Sequence, residues 1–215
     1  MEFLQATLQV PGWCSFRLPQ GINMHFSYPV PPITTIKGLL AAALGLPHDS
    51  YHLLPELEYA VGIVRPGERI ETLSKILKRD RDNRDTLVVK EKYLQPEYRI
   101  WLAGEGKELD RIYTRLLDPF FPLSLGEGDD VVEVAAVERF QASRQVAAQV
   151  VNCPVYRPEL VTAGPVEVIQ LPWDFIKGKR NSWQGIAYRP HWVGEKIAFK
   201  EEVEVWSTPA GGVLL

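Results

Sequence analysis

Three prolines placed just ahead of an apolar, helix-forming run constrain the fold of this chain more than any other feature. The stretch, residues 27–47, reads SYPVPPITTIKGLLAAALGLP. Proline fixes its own backbone angle and holds the approach extended. Apolar residues then recur at the spacing of one helix face, and Gly45 and Pro47 supply a stop. The stretch therefore predicts a helix of about three turns, with Thr34 or Thr35 as its N-cap.

Short apolar or alternating segments around this helix predict strands. In the first segment, residues 4–10, apolar residues alternate with Gln5, Thr7 and Gln9. This alternation predicts a strand with one solvent-facing side. A second helix is predicted to end at Asp118. The further strands are predicted at 59–64, 97–103 and 131–138, and the second helix is marked by apolar residues from 109 to 117. The resulting order, βαββαβ, predicts an α+β, ferredoxin-like (RRM-like) core.

The domain organisation follows from the same order. We expect residues 1–140 to form the core, with an insertion at about 65–96. The remainder, 141–215, is rich in Pro and Trp and contains short strand-like pieces. It is expected to form a β-rich extension packed on the core or a small second domain.

Composition excludes few classes of function. The 215 residues carry a formal net charge of −3, which neither requires nor excludes a nucleic-acid partner. Cys14 and Cys153 are far apart, which argues against a disulfide scaffold or a zinc ribbon. No signal-peptide pattern and no apolar run of about 18 residues is present. The sequence therefore predicts a cytoplasmic protein without a membrane span.

The start of the first helix is a candidate phosphate site. Its free N–H groups and the positive end of the helix dipole favour an anion. Lys37 adds a charge, Thr34 and Thr35 add hydroxyl donors, and Gly38 lets a phosphate approach the backbone closely. The alternative is structural: the threonines cap, the lysine is solvated and the glycine packs.

The insertion contains a second cluster of cations. Its sequence, residues 65–84, is RPGERIETLSKILKRDRDNR, and Leu73, Ile76 and Leu77 within it predict a short amphipathic turn. A basic arm between two strands suits a phosphate backbone, but a solvated loop of mixed charge is an equal alternative. The basic residues are Arg65, Arg69, Lys75, Lys78, Arg79, Arg81 and Arg84.

Aromatic and cationic residues alternate directly after this arm. Tyr93 lies beside Lys92 and near Lys90, a combination that stacks bases and holds phosphates. Tyr98 in the following strand is expected to belong to the core.

The sequence contains no strong catalytic motif. The four histidines complete no ligand set for a metal, and no nucleophile elbow, Cys–His pair or HExxH is present. The segment PLSLGEGDD carries too much acid for a phosphate loop and predicts a tight turn. We expect no cofactor and no metal.

Three stretches together resemble the Cas-five family, the RAMP-superfamily subunit of type I CRISPR surveillance complexes. They are SYPVPPITTIKGLLAAALG, KEKYLQPEYRIWLAG and PFFPLSLGEGDD. The resemblance covers roughly the first two thirds of the chain. It implies a ferredoxin-like core with a thumb inserted between the second and third strands. It departs from the family at the turn, which carries acidic residues after its first glycine where many relatives carry a basic or polar residue. This departure argues against RNA contact from this turn.

The resemblance also implies a function. Such subunits hold the 5′ handle of the CRISPR RNA, cap the filament of backbone subunits, contact the large subunit and meet target DNA only through the assembled complex. This antiviral role is usually not catalytic. The RNA-binding residues it implies here are Tyr28, Thr34, Thr35, Lys37, Gly38, Lys75, Lys78, Arg79, Arg81, Arg84, Lys90, Lys92 and Tyr93.

Two alternatives remain open on the sequence. One is a metal-independent endoribonuclease that processes precursor CRISPR RNA, for which His25, Tyr28 and Lys37 supply candidate base, acid and cation. The other is a protein-interaction module without an RNA role. Its candidate surface contains Trp173, Trp183, Trp192 and Trp206.

Overall fold

Two helices and thirteen mostly antiparallel strands make up an α+β fold in the computed structural model, which describes residues 1–19, 24–77, 85–162, 166–178 and 183–215. Short 3₁₀ turns occupy Tyr51–Leu53 and Pro158–Leu160. In chain order the elements are β1 (Glu2–Gln9), β2 (Trp13–Cys14), β3 (Met24–His25), α1 (Ile33–Leu44), β4 (Glu58–Arg65), β5 (Glu68–Leu77), β6 (Asp85–Leu94), β7 (Glu97–Ala103), α2 (Gly106–Leu117), β8 (Glu133–Gln141), β9 (Arg144–Val151), β10 (Glu167–Lys177), β11 (Trp183–Val193), β12 (Lys196–Thr208) and β13 (Gly211–Val213).

Helix α1 forms where the proline-led stretch predicts it, but its cap differs. The helix begins at Ile33 with Pro32 as the N-cap residue and no side-chain capping bond. The prediction of a threonine N-cap is therefore wrong: the Pro32 carbonyl already accepts the N–H of Thr35. At the other end Gly45 takes a left-handed conformation, with φ +70°, and a Cβ there would lie 2.6 Å from the ring of Phe120. Glycine therefore ends the helix without strain or clash.

The central sheet has the strand order β4-β7-β1-β8, and all its pairings are antiparallel. One of its faces packs against α1 and α2. Leu4, Leu8 and Ile100 are fully buried in this helix-side core. Because successive strand residues point to opposite faces, the neighbours of these residues face the other way.

The second face of the central sheet is covered rather than open. Phe3, Trp101 and Ala60 form a second core with the sheet β13-β12-β9 from the C-terminal region. Gln5, predicted to face solvent, is 7% exposed and its side chain accepts a hydrogen bond from the Trp101 indole at 2.8 Å. The prediction of a solvent-facing side on β1 is wrong at Gln5, because the C-terminal sheet β13-β12-β9 covers this face of the central sheet.

The C-terminal region also reaches the helix side. The hairpin β10-β11 contributes Leu171 and Val193 to the helix-side core, and β10 packs against α1. The C-terminal strands thus pack on both sides of the central sheet. This arrangement leaves two open grooves, one on each side of the start of α1.

The basic insertion is a β-hairpin between β4 and β7. Strands β5 and β6 pair antiparallel from Glu68↔Leu94 to Leu77↔Asp85, and β2 and β3 pair with the opposite edge of β6. Leu73 therefore lies in a strand, and the prediction of a short helical turn there is wrong. Cross-strand pairing overrides the local helical spacing in this segment.

Candidate nucleic-acid interface

An open groove of about 420 Å³ lies at the first turn of α1, and we call it the helix-start groove. It is bounded by the segment after β2, by the approach to the helix, by the acidic turn and by the β10-β11 hairpin. Its lining residues are Ser15, Phe16, Arg17, Pro19, Tyr28, Pro32, Thr34, Thr35, Gly126, Glu127, Pro172, Ile186 and Tyr188.

Three of the predicted RNA-binding residues meet in this groove. Thr34 and Thr35 are half-buried in the first turn, and Tyr28 is buried at its side. Burial raises the pKa of Tyr28 to about 12, so its phenol keeps its proton at neutral pH and is able to donate a hydrogen bond. Two hydroxyls beside a helix N-terminus form a suitable environment for a phosphate oxygen.

Two further groove residues were not identified from the sequence. Arg17 is exposed and supplies a guanidinium, and Tyr188 is 43% exposed and supplies a ring face. No motif marks either residue, because β11 brings Tyr188 to the helix start only in the folded chain. Together they add the cation and the stacking surface that single-stranded RNA requires.

His25 is a buried histidine on β3 near this groove. It is 5% exposed and its Nδ1 has no hydrogen-bond partner among the described residues. Burial lowers the pKa of His25, and the charges of Arg17 and Lys90 lower it further. The imidazole is therefore neutral at pH 7.

Lys37 lies outside the helix-start groove. Its ammonium donates to Asp174 at 2.6 Å and lies 5.5 Å from the ring centre of Tyr59, in a second groove on the other side of β10. Gly38 is different, because a Cβ built on it would meet no heavy atom within 4 Å. Internal packing therefore does not require glycine at this position.

The three residues of the endoribonuclease hypothesis do not share one groove. Tyr28 lines the helix-start groove, Lys37 lines the second groove, and His25 lines neither. General acid–base catalysis requires its groups within hydrogen-bond reach of one substrate. No observation in the described parts of the chain favours this alternative.

Lys90 and Lys92 are held by the acidic turn. Lys90 donates to the carboxylate of Glu127 at 2.7 and 2.9 Å, and Lys92, almost fully buried, donates to Asp130 at 2.9 Å. Burial alone would lower the pKa of Lys92, but its hydrogen bond to Asp130 and the nearby carboxylates outweigh burial and raise it. The Lys92 ammonium is already paired in the interior, so we leave it out of the interface.

The acidic turn brings Glu127, Asp129 and Asp130 within 4.8 Å of one another through their carboxylate oxygens. Asp130 is fully buried and also accepts the N–H groups of Ser15 and Glu127. With Lys90 and Lys92 bonded to two of the three carboxylates, their negative charge is already compensated. This explains the acidic residues as anchors for the β5-β6 hairpin.

Two further predicted residues lie on that hairpin. Lys75 is exposed on β5, and Tyr93 is half-buried on β6 opposite Cys14, with burial raising its pKa to about 12. Four more predicted contacts lie outside the described residues: Lys78, Arg79, Arg81 and Arg84.

The fold and groove define an α+β protein with a hydroxyl-rich, cation-bearing site at a helix start. Comparison with protein families identifies it further. The family model described as "CRISPR-associated protein (Cas_Cas5)" matches residues 7–180. The chain belongs to this family, the Cas-five family of CRISPR-associated proteins.

Solved structures share the fold at low sequence identity. A chain of a "CRISPR RNA-guided surveillance complex" is 16% identical with a TM-score of 0.60, covering 91% of each chain. A CRISPR protein from Archaeoglobus fulgidus is 12% identical with a TM-score of 0.56, covering 99% of this chain and 98% of that one. A search of curated proteins gave no match. Within the described residues, no helix is both long and apolar enough to cross a membrane.

Proposed function

We propose that this protein is a non-catalytic RNA-binding subunit of a CRISPR-Cas surveillance complex and that it holds the 5′ handle of the CRISPR RNA. Membership of the Cas-five family supports a role in such a complex. A chain with the same overall fold occurs in a structure named as an RNA-guided surveillance complex.

We assign the central sheet and the helices α1 and α2 to a ferredoxin-like core. The strand order β4-β7-β1-β8 supports this, since it places the first and third core strands in the middle of an antiparallel sheet. The β5-β6 hairpin then corresponds to a thumb, because it lies between the second and third core strands.

The helix-start groove is the observation that carries the proposal. In RRM domains, bases stack on the open face of the four-stranded sheet. Here Phe3 and Trp101 on that face are buried beneath β9, β12 and β13, so RNA cannot bind in that way. The groove instead offers Thr34 and Thr35 at a helix N-terminus, with Arg17 at the rim.

We assign the handle phosphates to this groove and the bases to exposed ring faces such as that of Tyr188. Gly38, with open space around it, allows close approach of the RNA backbone farther along the helix. We propose that Lys75 on β5 extends the contact along the RNA, and that Lys78, Arg79, Arg81 and Arg84, which lie outside the described residues, do the same.

The same proposal specifies the partners. The subunit caps one end of the backbone-subunit filament and contacts the large subunit. Target DNA is met only through the assembled complex. The exposed rings of Phe120 and Phe121, 62% and 46% exposed beside the end of α1, are candidates for a subunit contact.

The test uses the full chain, with EDTA present, and two RNAs of equal length: one bearing the handle and one with the handle sequence scrambled. We expect tighter binding of the handle-bearing RNA and no cleavage of repeat RNA on a denaturing gel. Arg17→Gln, and Thr34→Val with Thr35→Val, should each weaken handle binding about tenfold.

Arg115→Gln on α2, which lines neither groove, is the matched control and should bind like the wild type. Equal affinity for both RNAs would reject handle recognition. Unchanged affinity in the folded groove variants would reject this groove as the site, and specific cleavage of repeat RNA would support the endoribonuclease instead.

A further inference from the structure

A second open groove, of about 450 Å³, lies across β10 from the first and is lined by cations and aromatic rings. We call it the arginine–aromatic groove. Its position, between α1 and the C-terminal strands, depends on residues from the whole length of the chain. Its cationic side chains are Lys37, Arg144, Arg157 and Arg189, its carboxylates are Glu58 and Asp174, and its rings are Tyr59, Tyr156, Trp173 and Trp206.

The guanidinium groups in this groove lie over ring faces. Arg189 is 4.5 Å from the ring centre of Trp173 and 5.8 Å from that of Tyr156. Arg157 approaches Tyr156 at 5.5 Å. Cation–π attraction holds such groups in place, and a planar guanidinium held in place loses less entropy when it binds an anion.

The rings beneath these arginines are themselves fixed. The Tyr156 hydroxyl donates to a backbone oxygen of Leu215 at 2.7 Å. Trp173 packs against the helix-side core and lies 5.4 Å from the ring of the buried His191. The groove is therefore preorganised, which reduces the cost of binding.

Two of its four cations have no ionic partner. Lys37 is paired with Asp174 at 2.6 Å and Arg144 with Glu204 at 2.6 Å. In the part of the chain that the structure describes, no carboxylate lies within 4.0 Å of the guanidinium of Arg157 or Arg189. Both side chains are exposed, so each has free N–H donors for an incoming anion.

We propose that the arginine–aromatic groove binds a short phosphate-bearing segment of single-stranded nucleic acid, at a site separate from the helix-start groove. Phosphate oxygens match the free edges of Arg157 and Arg189, and bases stack on guanidinium planes and ring faces. An acidic peptide would use the same charges but would leave the half-buried rings of Tyr156, Trp173 and Trp206 without a stacking partner.

The neighbouring surface limits the length of this segment. A hollow of about 540 Å³ shares Arg144 and Arg157 with the groove, but four carboxylates line it. These four carboxylates outnumber Lys200, the other cation that lines the hollow, and disfavour a phosphate backbone, so we expect the bound segment to end at Arg144. The four are Glu159, Glu201, Glu202 and Glu204.

The test is fluorescence anisotropy with a labelled uridine octanucleotide, which carries no handle, titrated with the full chain at about 50 to 200 mM salt. The Arg157→Gln, Arg189→Gln double variant should bind about tenfold more weakly. Its slope of log affinity against log salt should fall by about 1.4, because each lost phosphate contact on a single strand removes about 0.7.

A second variant, Arg157→Lys with Arg189→Lys, keeps both charges and removes the planar groups. It should retain the salt slope and lose affinity, which separates stacking from simple attraction. Arg115→Gln is the matched control, and far-ultraviolet circular dichroism confirms folding of each variant.

Unchanged affinity and salt slope in the folded Arg157→Gln, Arg189→Gln variant would overturn the inference. A second result would also overturn it. If an octaglutamate peptide binds more tightly than the octanucleotide, which does not bind, and the double variant loses the peptide, the groove fits a protein partner instead. Binding at this groove is independent of handle recognition. If Arg17→Gln loses handle binding while the Arg157→Gln, Arg189→Gln variant keeps it, that result tests only the helix-start groove.

Discussion

Both faces of the central sheet are buried, but the C-terminal region contributes a hairpin to one core and a whole sheet to the other. On the helix side, Leu4 and Leu8 belong to the core that also contains α1 and α2. Helix α1 precedes β4 in the chain, and α2 connects β7 to β8. On the other side, Phe3 and Trp101 pack beneath β9, β12 and β13. The helix-side core comes mainly from the first two thirds of the chain, with Leu171 and Val193 added by the β10-β11 hairpin, whereas the other core requires the C-terminal sheet β13-β12-β9.

This difference bears on where the proposed RNA contact lies. A sheet with one open face would present Phe3 and Trp101 to solvent as a stacking platform. Covering that face removes the platform, while aromatic rings and cations line the two grooves beside α1. The C-terminal strands therefore act both as a core layer and as the walls of both grooves.

The largest expected effect comes from matched truncations on the two faces. Phe3 and Leu4 are adjacent on β1, both fully buried, and point to opposite cores. Phe3→Ala should lower the free energy of unfolding by about 3–5 kcal/mol and Leu4→Ala by about 2–5 kcal/mol, from lost burial and the cavities left. Urea denaturation measures both. A cost below about 1 kcal/mol for Phe3→Ala alone would show that the C-terminal layer is peripheral to stability.

The buried hydrogen bond on the strand side gives the next effect. Gln5→Leu removes the acceptor of the Trp101 indole and should cost about 1–3 kcal/mol, because the N–H is left unpaired. Trp101→Phe in the same background removes the unpaired donor. The double variant should therefore lose less free energy of unfolding than the two single variants lose in sum. Strict additivity in urea denaturation would argue against this hydrogen bond.

Alkaline pH tests both cores through one cysteine in each. Cys14 lies in the helix-side core and Cys153 lies in the other core. Burial raises the pKa of each thiol to about 12, and the negative charge of Asp130 contributes to the rise for Cys14. The unfolded thiols lose their protons near their ordinary pKa while the folded ones keep them. Stability is thus fully present below that pKa and falls as pH rises toward 12.

Between about pH 9 and pH 10 the expected fall is about 1 kcal/mol for each thiol, and the slope approaches its limit of about 1.4 kcal/mol per pH unit above about pH 10. Urea denaturation across this range measures it. Cys14→Ala and Cys153→Ala should each remove one share of the slope. A slope that only one of the two variants reduces would mean that the other core admits solvent at high pH.

The smallest effect concerns Gly38. Because a Cβ there meets nothing within 4 Å, Gly38→Ala should raise the free energy of unfolding by about 0.5–1 kcal/mol through helix propensity. If RNA approaches this backbone, the same variant should bind handle RNA more weakly. A variant that is stabilised but binds RNA as well as the wild type would exclude Gly38 from the interface.

Local patterns predicted much of the core. The strand over 97–103 and the stop of α1 at Gly45 are confirmed, since apolar spacing and glycine chemistry act within a few residues. The threonine cap failed because the Pro32 carbonyl begins the helix earlier. The helical turn at Leu73 failed because strand pairing with β6 overrides local spacing.

The candidate site was less predictable. Tyr28, Thr34 and Thr35 share a groove, as their closeness in sequence suggested, but Lys37 lies in the other groove. Arg17 and Tyr188 were missed, since no short-range pattern links them to the helix start.

By itself, the sequence determined where α1 ends, which strands are apolar and, through its motifs, the family. Those properties depend on backbone angles, side-chain periodicity and short motifs, all of which are local. Only the tertiary structure decided which polar and cationic groups remain available. Gln5 and Lys92 became interior groups because distant partners, Trp101 and Asp130, satisfy them. Burial and pairing depend on groups brought together by the fold, and no local pattern records them.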